Sequence, residues 1–311
     1  YENEFQYYIE LENLAKKHHI PYETYESAKR LRPETIKKIK DIAPDVILRG
    51  GNWRAILPTT IWSTSRYGCI GLHGSALPEY RGWAGINWHI INGEKYYGLQ
   101  MFKFNENIDD GDLVCRNDGS PISTTISLDN NLSISQILDL ADQEHVKLIM
   151  ELLTLMKHDQ IKFSKQDITK QTWTCHRGPN DGEINWKKKT HEIYNFIRGQ
   201  SYPFPGAFTF FKGLKLYIWK SRILKNPPKY VGRIPGKIIK VNNEEGSVQV
   251  LTGDGILIIE EVSYESADFH PQTRYEIRKK ANHYLKSPRE KLGLNIYEEV
   301  DKIKKYLNKN L

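Results

Sequence analysis

The sequence predicts an α/β fold followed by a small all-β unit, and three observations carry that prediction. Over the first two-thirds of the chain, helical and extended patterns alternate, as in proteins that pack helices on a sheet. From about residue 206 to 262, short extended segments are separated by glycine-containing turns. The 311 residues are 39% hydrophobic, which is enough apolar material for a full core and enough length for two domains.

The elements of the first part follow from local spacing and from helix start signals. The predicted helices cover residues 11–18, 33–40 and 85–92, and the predicted strands cover residues 44–48, 68–73, 98–104 and 112–115. Ser133 and Gln136 have the spacing of a capping box and predict the start of a long helix. Its core-facing residues are predicted to be Ile137, Ala141, Leu148 and Leu152.

A polar link over residues 176–182 and a predicted helix over residues 191–198 precede the all-β unit. The predicted strands of that unit are residues 208–211, 214–219, 236–241, 248–251 and 256–262. Five short strands with glycine turns favour a small barrel of the OB type. The residues that follow are predicted to be helical, polar and rich in lysine.

Charge and cysteine content limit the class of protein. The net charge of +7 comes largely from scattered lysines, which indicates a solvated surface; attraction to nucleic acid or to a phosphorylated small molecule is the alternative. Three cysteines without paired spacing argue against a disulfide framework or a zinc knuckle, and they predict a reducing, cytoplasmic location. No metal site is predicted. The chain contains neither a run of about 18 apolar residues nor the blocks of a secretory signal at its start, so no membrane span is expected.

The chemistry is expected at a histidine and a carboxylate turn. His73 stands at the end of the strand predicted over residues 68–73, at the sheet edge where ligands bind in α/β proteins. The turn of residues 108–112 is rich in aspartate and follows another predicted strand. If the two strands are neighbours, an aspartate can face His73, and such a pair can take a proton from an amine. A structural histidine beside a surface turn or a cation-binding loop is the alternative, although the spacing excludes an EF-hand.

These residues resemble a known family. The motif His73-Gly74-Ser75-x-Leu77-Pro78-x-Tyr80-Arg81-Gly82, then Ile86-Asn87-Trp88, then Asp109-x-Gly111-Asp112, resembles the folate-dependent formyltransferases related to methionyl-tRNA formyltransferase. The resemblance covers about residues 10–265. It implies an enzyme that moves the formyl group of 10-formyltetrahydrofolate to an amine. The implied fold is a Rossmann-like formyltransferase domain over residues 1–200 and a small OB-like β-barrel domain over residues 201–270. For the lysine-rich tail of residues 271–311, packing against the barrel and a homodimer contact both stay open.

The resemblance also implies roles for individual residues. His73 and Asp109 correspond to the catalytic histidine and aspartate. The pterin of the folate is expected to lie along two stretches of main chain, at Gly50, Trp53, Ile56, Leu57, Pro58, Asn107, Ile108 and Asp109. The acceptor is expected to contact Ser75, Tyr80, Arg81, Gly82, Asn87, Trp88 and Arg177.

Two departures from the family pattern generate expectations. Many members carry an asparagine where this chain has Gly71, and that asparagine helps to hold the formyl oxygen. We therefore expect another donor, such as a main-chain N–H of Gly74 or Ser75, and we expect the space beside Gly71 to be empty. The family also begins with a strand–helix–strand unit that would precede Tyr1, so we expect the sequence to start after that unit.

The acceptor is predicted from three segments that resemble the sugar-modifying branch of the family. They are residues 176–186, Ile86-Asn87-Trp88 and residues 202–208. No basic loop of the kind that clamps a tRNA acceptor stem is present near Tyr1. The predicted acceptor is therefore a nucleotide-linked amino sugar. Methionyl-tRNA, which the basic net charge would suit, is the alternative. A formyl hydrolase, and a folate- or sugar-nucleotide-binding relative with weakened catalysis, also stay open.

Overall fold

The computed structural model describes residues 11–23, 32–50, 59–62, 64–128, 132–211 and 213–264. The chain folds into two compact units that are interleaved along the sequence. The first unit comprises Tyr1–His73, Met101–Ile122 and Gln160–Gln166, and the second comprises Gly74–Gln100, Ser123–Asp159 and Asp167–Leu311. The domain boundaries near residues 200 and 270 stay predictions.

The helices are α1 (residues 11–17), α2 (Pro33–Ile42), α3 (Thr59–Trp62), α4 (Gly85–Asn92), α5 (Ile134–Lys157) and α6 (Thr190–Gln200). The strands are β1 (Ile47–Arg49), β2 (Cys69–His73), β3 (Arg81–Gly82), β4 (Tyr96–Lys103), β5 (Leu113–Arg116), β6 (Ser123–Ser127), β7 (Ile161–Ser164), β8 (Trp173–Thr174), β9 (Ala207–Phe211), β10 (Leu214–Ile223), β11 (Ile238–Asn242), β12 (Ser247–Leu251) and β13 (Ile256–Tyr264).

A sheet of mixed direction carries the residues of interest in the first unit. Its strand order is β1-β2-β4-β5-β7, and β6 pairs with the part of β4 that belongs to the second unit. β1 and β2 are parallel, and their register places Arg49 beside Gly71. β5 runs antiparallel to both β4 and β7. Cys69 and Ile70 of β2 are fully buried, as expected for a strand covered on both faces.

The long helix α5 of the second unit confirms the capping-box prediction. The Ser133 side chain accepts from the Gln136 main-chain N–H, and the Gln136 side chain accepts from the Ser133 N–H. The predicted core face is buried. It consists of four residues that recur at helical spacing, Ile137, Ala141, Leu148 and Leu152. Within the described residues, none of the helices combines the length and apolar character that a membrane crossing requires.

The second unit also contains the all-β segment. Its five strands are antiparallel in the order β11-β12-β13-β10-β9, and they lie at the places the sequence predicts. Residues of these strands share a core with Ile193 and Ile197 of α6. Over the described residues this sheet is open, with β11 and β9 at its edges. Closure into an OB-type barrel therefore stays a prediction.

The sequence patterns missed β6 and β7. β6 is the polar run Ser-Thr-Thr-Ile-Ser, in which only Ile126 is buried, and β7 has no buried residue. β6 lacks the alternation of apolar and polar residues on which such predictions depend, whereas β7 has that alternation over only four residues. Both strands exist because β4 and β5 offer main-chain partners to them.

Candidate active site

His73 and Asp109 lie together in the first unit. His73 is the last residue of β2, and Asp109 lies in the loop that joins β4 to β5. The His73 Nδ1 and Asp109 Oδ2 atoms are 3.5 Å apart, and the two side chains are 12% and 15% exposed. The distance is at the outer limit of a hydrogen bond, and catalytic hydrogen bonds often tighten only when substrate is bound. The pair is accessible but largely shielded from water.

The position of Asp109 depends on a tight loop and on a residue that the sequence patterns do not mark. Asp109 has a positive φ of 50°, which an aspartate tolerates better than most residues. A side chain at Gly111 would place its Cβ 1.5 Å from the Lys103 carbonyl oxygen, so only glycine fits. The buried side chain of Gln166 donates from Nε2 to the carbonyl oxygens of Asp109 (2.9 Å) and Gly111 (2.7 Å). Gln166 thus holds the turn that presents the carboxylate.

The space beside Gly71 is filled, so the expectation of an empty site is wrong. A Cβ built at Gly71 would lie 2.3 Å from Cε2 and 2.9 Å from Cζ of Phe104. The Phe104 ring is therefore pressed against the main chain of β2, two residues before His73. The guanidinium carbon of Arg49 lies 4.6 Å from the centre of the same ring. An asparagine at position 71 would clash with this ring unless Phe104 moved.

The residues predicted to contact the pterin fall partly within the described structure. Trp53, Ile56, Leu57 and Pro58 lie outside the described residues. Gly50 directly follows β1, and no atom of the described residues lies within 4 Å of the position that its Cβ would take. In the other stretch, the Ile108 side chain is 55% exposed, while Asn107 donates to Asp110 (Nδ2 to Oδ2, 3.1 Å). An exposed apolar side chain and an open glycine are features that fit a flat ring system.

Several residues predicted to contact the acceptor are engaged in the fold of the second unit. Ser75 is fully buried and donates to the Glu79 carbonyl oxygen (2.6 Å). Asn87 is buried and donates from Nδ2 to the Gly199 carbonyl oxygen (2.8 Å). A side chain at Gly82 would place its Cβ 2.5 Å from the Thr174 carbonyl oxygen. For these residues an acceptor contact stays a prediction.

Tyr80 and Arg81 form the next part of this segment. The Tyr80 hydroxyl donates to Glu94 Oε1 (2.6 Å), and its ring stacks on His89 with the ring centres 4.0 Å apart. Burial, together with the Glu94 carboxylate, raises the pKa of Tyr80 to about 12, so its hydroxyl is protonated near neutral pH. Arg81 is 2% exposed and donates to Gln171 Oε1 (3.1 Å).

Arg177 and Trp88, both predicted to contact the acceptor, are brought together. The Arg177 guanidinium lies 4.7 Å from the Trp88 ring centre and 5.4 Å from that of Phe196. It donates to the Asp181 carbonyl oxygen (2.6 Å) and to Gln200 Oε1 (3.0 Å). Burial lowers the pKa of Arg177, although the residue remains a cation at neutral pH.

Trp88 and Phe196 also line a cavity of about 550 Å³ at α4 and α6. The sequence patterns did not mark Phe196 or Gln200, because both occupy ordinary positions on α6.

The comparisons with known proteins agree with the motifs. The "Formyl transferase" family model matches residues 6–145, and the "Formyl transferase, C-terminal domain" model matches residues 178–271. A methionyl-tRNA formyltransferase from Clostridium novyi is 33% identical over 238 residues, which cover 76% of this chain and 72% of that protein. The chain belongs to the formyltransferase family. Enzymes of this family transfer formyl groups, and formyl-tetrahydrofolate is their formyl donor.

Solved structures show the same fold at lower identity. The formyltransferase is similar to an N-formyltransferase from Helicobacter canadensis in complex with folinic acid and dTDP-3-aminofucose. The TM-score is 0.58 at 18% identity, over 79% of this chain and 80% of the other. HypX from Aquifex aeolicus in complex with tetrahydrofolic acid gives a TM-score of 0.54 at 18% identity, over 76% of this chain and 39% of the other. At these identities the likeness concerns the fold of the formyltransferase and leaves its acceptor to other observations.

Proposed function

We propose that this formyltransferase transfers the formyl group of 10-formyltetrahydrofolate to the amine of a nucleotide-linked amino sugar. The observation that carries the proposal is the shielded His73–Asp109 pair, whose Nδ1 and Oδ2 atoms are 3.5 Å apart. A neutral imidazole beside a carboxylate is suited to accept a proton and to hold it as an imidazolium.

The reaction assigns a distinct task to each member of the pair. The acceptor amine must lose a proton when its nitrogen bonds to the formyl carbon, and the folate nitrogen must gain one when its bond to that carbon breaks. His73 takes the first proton and returns it to the leaving nitrogen. Asp109 keeps the imidazole oriented and stabilises its charged form. 10-Formyltetrahydrofolate supplies only the activated formyl group, and Gly50, Asn107, Ile108 and Asp109 are the described residues that would hold it.

The choice of acceptor is supported by the surroundings of Arg177. Its guanidinium lies 4.7 Å from the Trp88 ring centre and 5.4 Å from the Phe196 ring centre, which places a cation beside aromatic surface. A cation and aromatic faces are what a phosphorylated nucleoside requires from a protein. The two segments that contain Trp88 and Arg177 resemble the sugar-modifying branch of the family.

Methionyl-tRNA is the second candidate acceptor, and a different observation favours it. The relative from Clostridium novyi with 33% identity is a methionyl-tRNA formyltransferase, and the net charge of this chain is +7. A basic surface would favour a nucleic acid as strongly as it favours a diphosphate.

One experiment separates the candidates. The full chain is incubated with 10-formyltetrahydrofolate and, in separate reactions, with dTDP-, UDP- and GDP-linked amino sugars and with methionyl-tRNA. We expect mass spectrometry to show the addition of one formyl group to at least one amino sugar nucleotide, and we expect His73→Ala to abolish it. Formylation of methionyl-tRNA alone would replace the proposed acceptor, and release of free formate without an acceptor product would indicate a hydrolase.

A reducing compartment such as the cytoplasm fits the proposal. Cys69, Cys115 and Cys175 are all free thiols. This location stays a prediction.

A further inference from the structure

We infer that Phe104 is a positioning residue for His73, and that position 71 is a glycine because the Phe104 ring occupies the space beside it. The inference rests on the proposed catalytic role of His73. It concerns residues of the first unit only, and Phe104 is inferred to act on His73 through Phe102.

The ring of Phe104 approaches the main chain of β2 closely. The Cβ of any side chain at position 71 would stand 2.3 Å from Cε2 of Phe104, a distance at which one of the two groups must move. The same Cβ would lie 3.2 Å from the Arg49 carbonyl oxygen, which is tight but tolerable. The ring of Phe104 is therefore the group that excludes a side chain at position 71.

A continuous series of ring contacts leads from Arg49 to His73. The Arg49 guanidinium lies over one side of Phe104, at 4.6 Å from the ring centre. Phe104 packs against Phe102 with the ring centres 4.5 Å apart and the planes inclined at 49°. Phe102 is 1% exposed and meets the His73 imidazole edge-on, at 6.1 Å and 84°. The order of contacts is thus Arg49, Phe104, Phe102 and His73.

These ring contacts restrict the rotation of the His73 imidazole. An imidazole turns easily about its outer side-chain bond, yet Nδ1 of His73 must face Asp109 for the pair to act. Phe102 restricts that rotation by its edge-on contact, and Phe104 fills the space into which Phe102 would otherwise relax. A small displacement of a catalytic group lowers the rate of the reaction, even when every group that touches the substrate is still present. Phe104 is accordingly expected to influence turnover through the orientation of His73.

The test is a cycle of substitutions with turnover and a spectroscopic signal as readouts. Phe104→Leu removes the ring atoms that reach Gly71 and Phe102, and Gly71→Ala displaces the same ring from the other side. The double variant restores room for the alanine methyl group. Phe163→Leu is the matched control. A cation also lies over this ring, since Lys103 Nζ is 5.0 Å from its centre, but Phe163 does not belong to the series of contacts from Arg49 to His73. The histidine NMR signals of each protein are recorded, with His73 assigned from His73→Ala.

We expect Phe104→Leu and Gly71→Ala each to lower kcat by about tenfold, with the KM of the formyl donor changed by less than about twofold. The His73 signals should move in both variants and stay in place in Phe163→Leu. The double variant should be no slower than Phe104→Leu, because both changes act on one ring. An unchanged kcat and unchanged His73 signals in Phe104→Leu, or losses that multiply in the double variant, would overturn the inference.

Two provisions keep the outcomes distinct. If Phe104→Leu does not fold, Phe104→Met, which keeps the length but removes the flat ring, is judged by the same readouts. If the wild-type chain formylates none of the acceptors, the proposed function fails, while the His73 signals still decide whether Phe104 orients the imidazole.

Discussion

The reactivity of the candidate site depends on individual residues whose main-chain conformation is tightly constrained. Asp109 can face His73 only because the loop passes close to the Lys103 carbonyl oxygen at Gly111. Gln166 adds two hydrogen bonds that close the same loop. The carboxylate is therefore presented by a close main-chain approach and by a side-chain bridge, both of which form without substrate.

The first prediction at this scale concerns the pair itself. His73→Ala and Asp109→Asn should each lower kcat for formyl transfer by at least about 100-fold, because each removes one part of a general acid–base pair. Far-UV circular dichroism and thermal unfolding should show that both variants are folded. Asp118→Asn, in a surface turn of the same unit, is the matched carboxylate control and should keep wild-type turnover. Near-complete activity in both active-site variants would show that the pair is wrongly assigned.

At the scale of elements, α6 is anchored by the turn that joins β12 to β13. Lys189 precedes the helix and its side chain makes no cap, so the exposed N–H groups need other partners. Asp254 Oδ1 accepts from both the N–H and the hydroxyl of Thr190, each at 2.7 Å. Thr190 Oγ1 also lies 2.7 Å from Thr252 Oγ1. The turn and the helix are thereby joined within the second unit, where α6 contributes to the core of the five-stranded sheet.

The corresponding prediction is a stability change that depends on pH. Burial opposes ionisation of Asp254, but the hydrogen bonds from Thr190 outweigh it and lower the pKa of this carboxyl. A lowered pKa means that the stabilisation is complete above the unfolded value of about 4 and is lost as the pH falls through the folded value. Asp254→Ala should therefore reduce the free energy of unfolding by about 1 kcal/mol at neutral pH, as the loss of a helix cap does.

Denaturant unfolding at pH 7 and at progressively lower pH measures this effect. The difference between wild type and Asp254→Ala should shrink as the pH falls below about 4. Asp139→Ala, at an exposed position of α5, should show little difference at any pH. A difference between wild type and Asp254→Ala that stays constant with pH would mean that the charge of Asp254 plays no part.

At the scale of the whole molecule, the three cysteines report on the integrity of both units. Cys69 and Cys115 are buried in the first unit, and Cys175 is exposed in the second. Burial raises the pKa of the Cys69 thiol to about 11 and also raises the pKa of Cys115. Because the thiolate is the reactive form, both buried thiols are protected by protonation as well as by packing.

Native protein at about pH 8 should therefore release one equivalent of thionitrobenzoate from Ellman's reagent rapidly, and all three cysteines should react after unfolding. Cys175→Ser should remove the rapid reaction. Rapid reaction of Cys69 or Cys115 in the native protein would show that the first unit opens readily.

The sequence by itself determined the elements with strong local patterns and the chemical character of the site. The capping box of Ser133 and Gln136, the core face of α5 and the five strands of the all-β segment were all predictable, because each depends on residues close in the chain. The motifs around His73 and Asp109 likewise indicated a formyltransferase before any contact was known. Local spacing is sufficient where the interaction is itself local.

Only the tertiary structure decided how the site is supported. Gln166 reaches the loop at Asp109 across 57 residues of sequence, and no pattern near Gln166 marks that role. Phe104, which directly follows β4, meets Gly71 of β2, so a glycine that suggested an empty space proved to be a point of close packing. β6 exists through pairing with β4 rather than through its own polar composition, and the four-residue β7 is completed by pairing with β5. In each case the deciding partner is distant along the chain, and such a partner is revealed only when the strands are brought together.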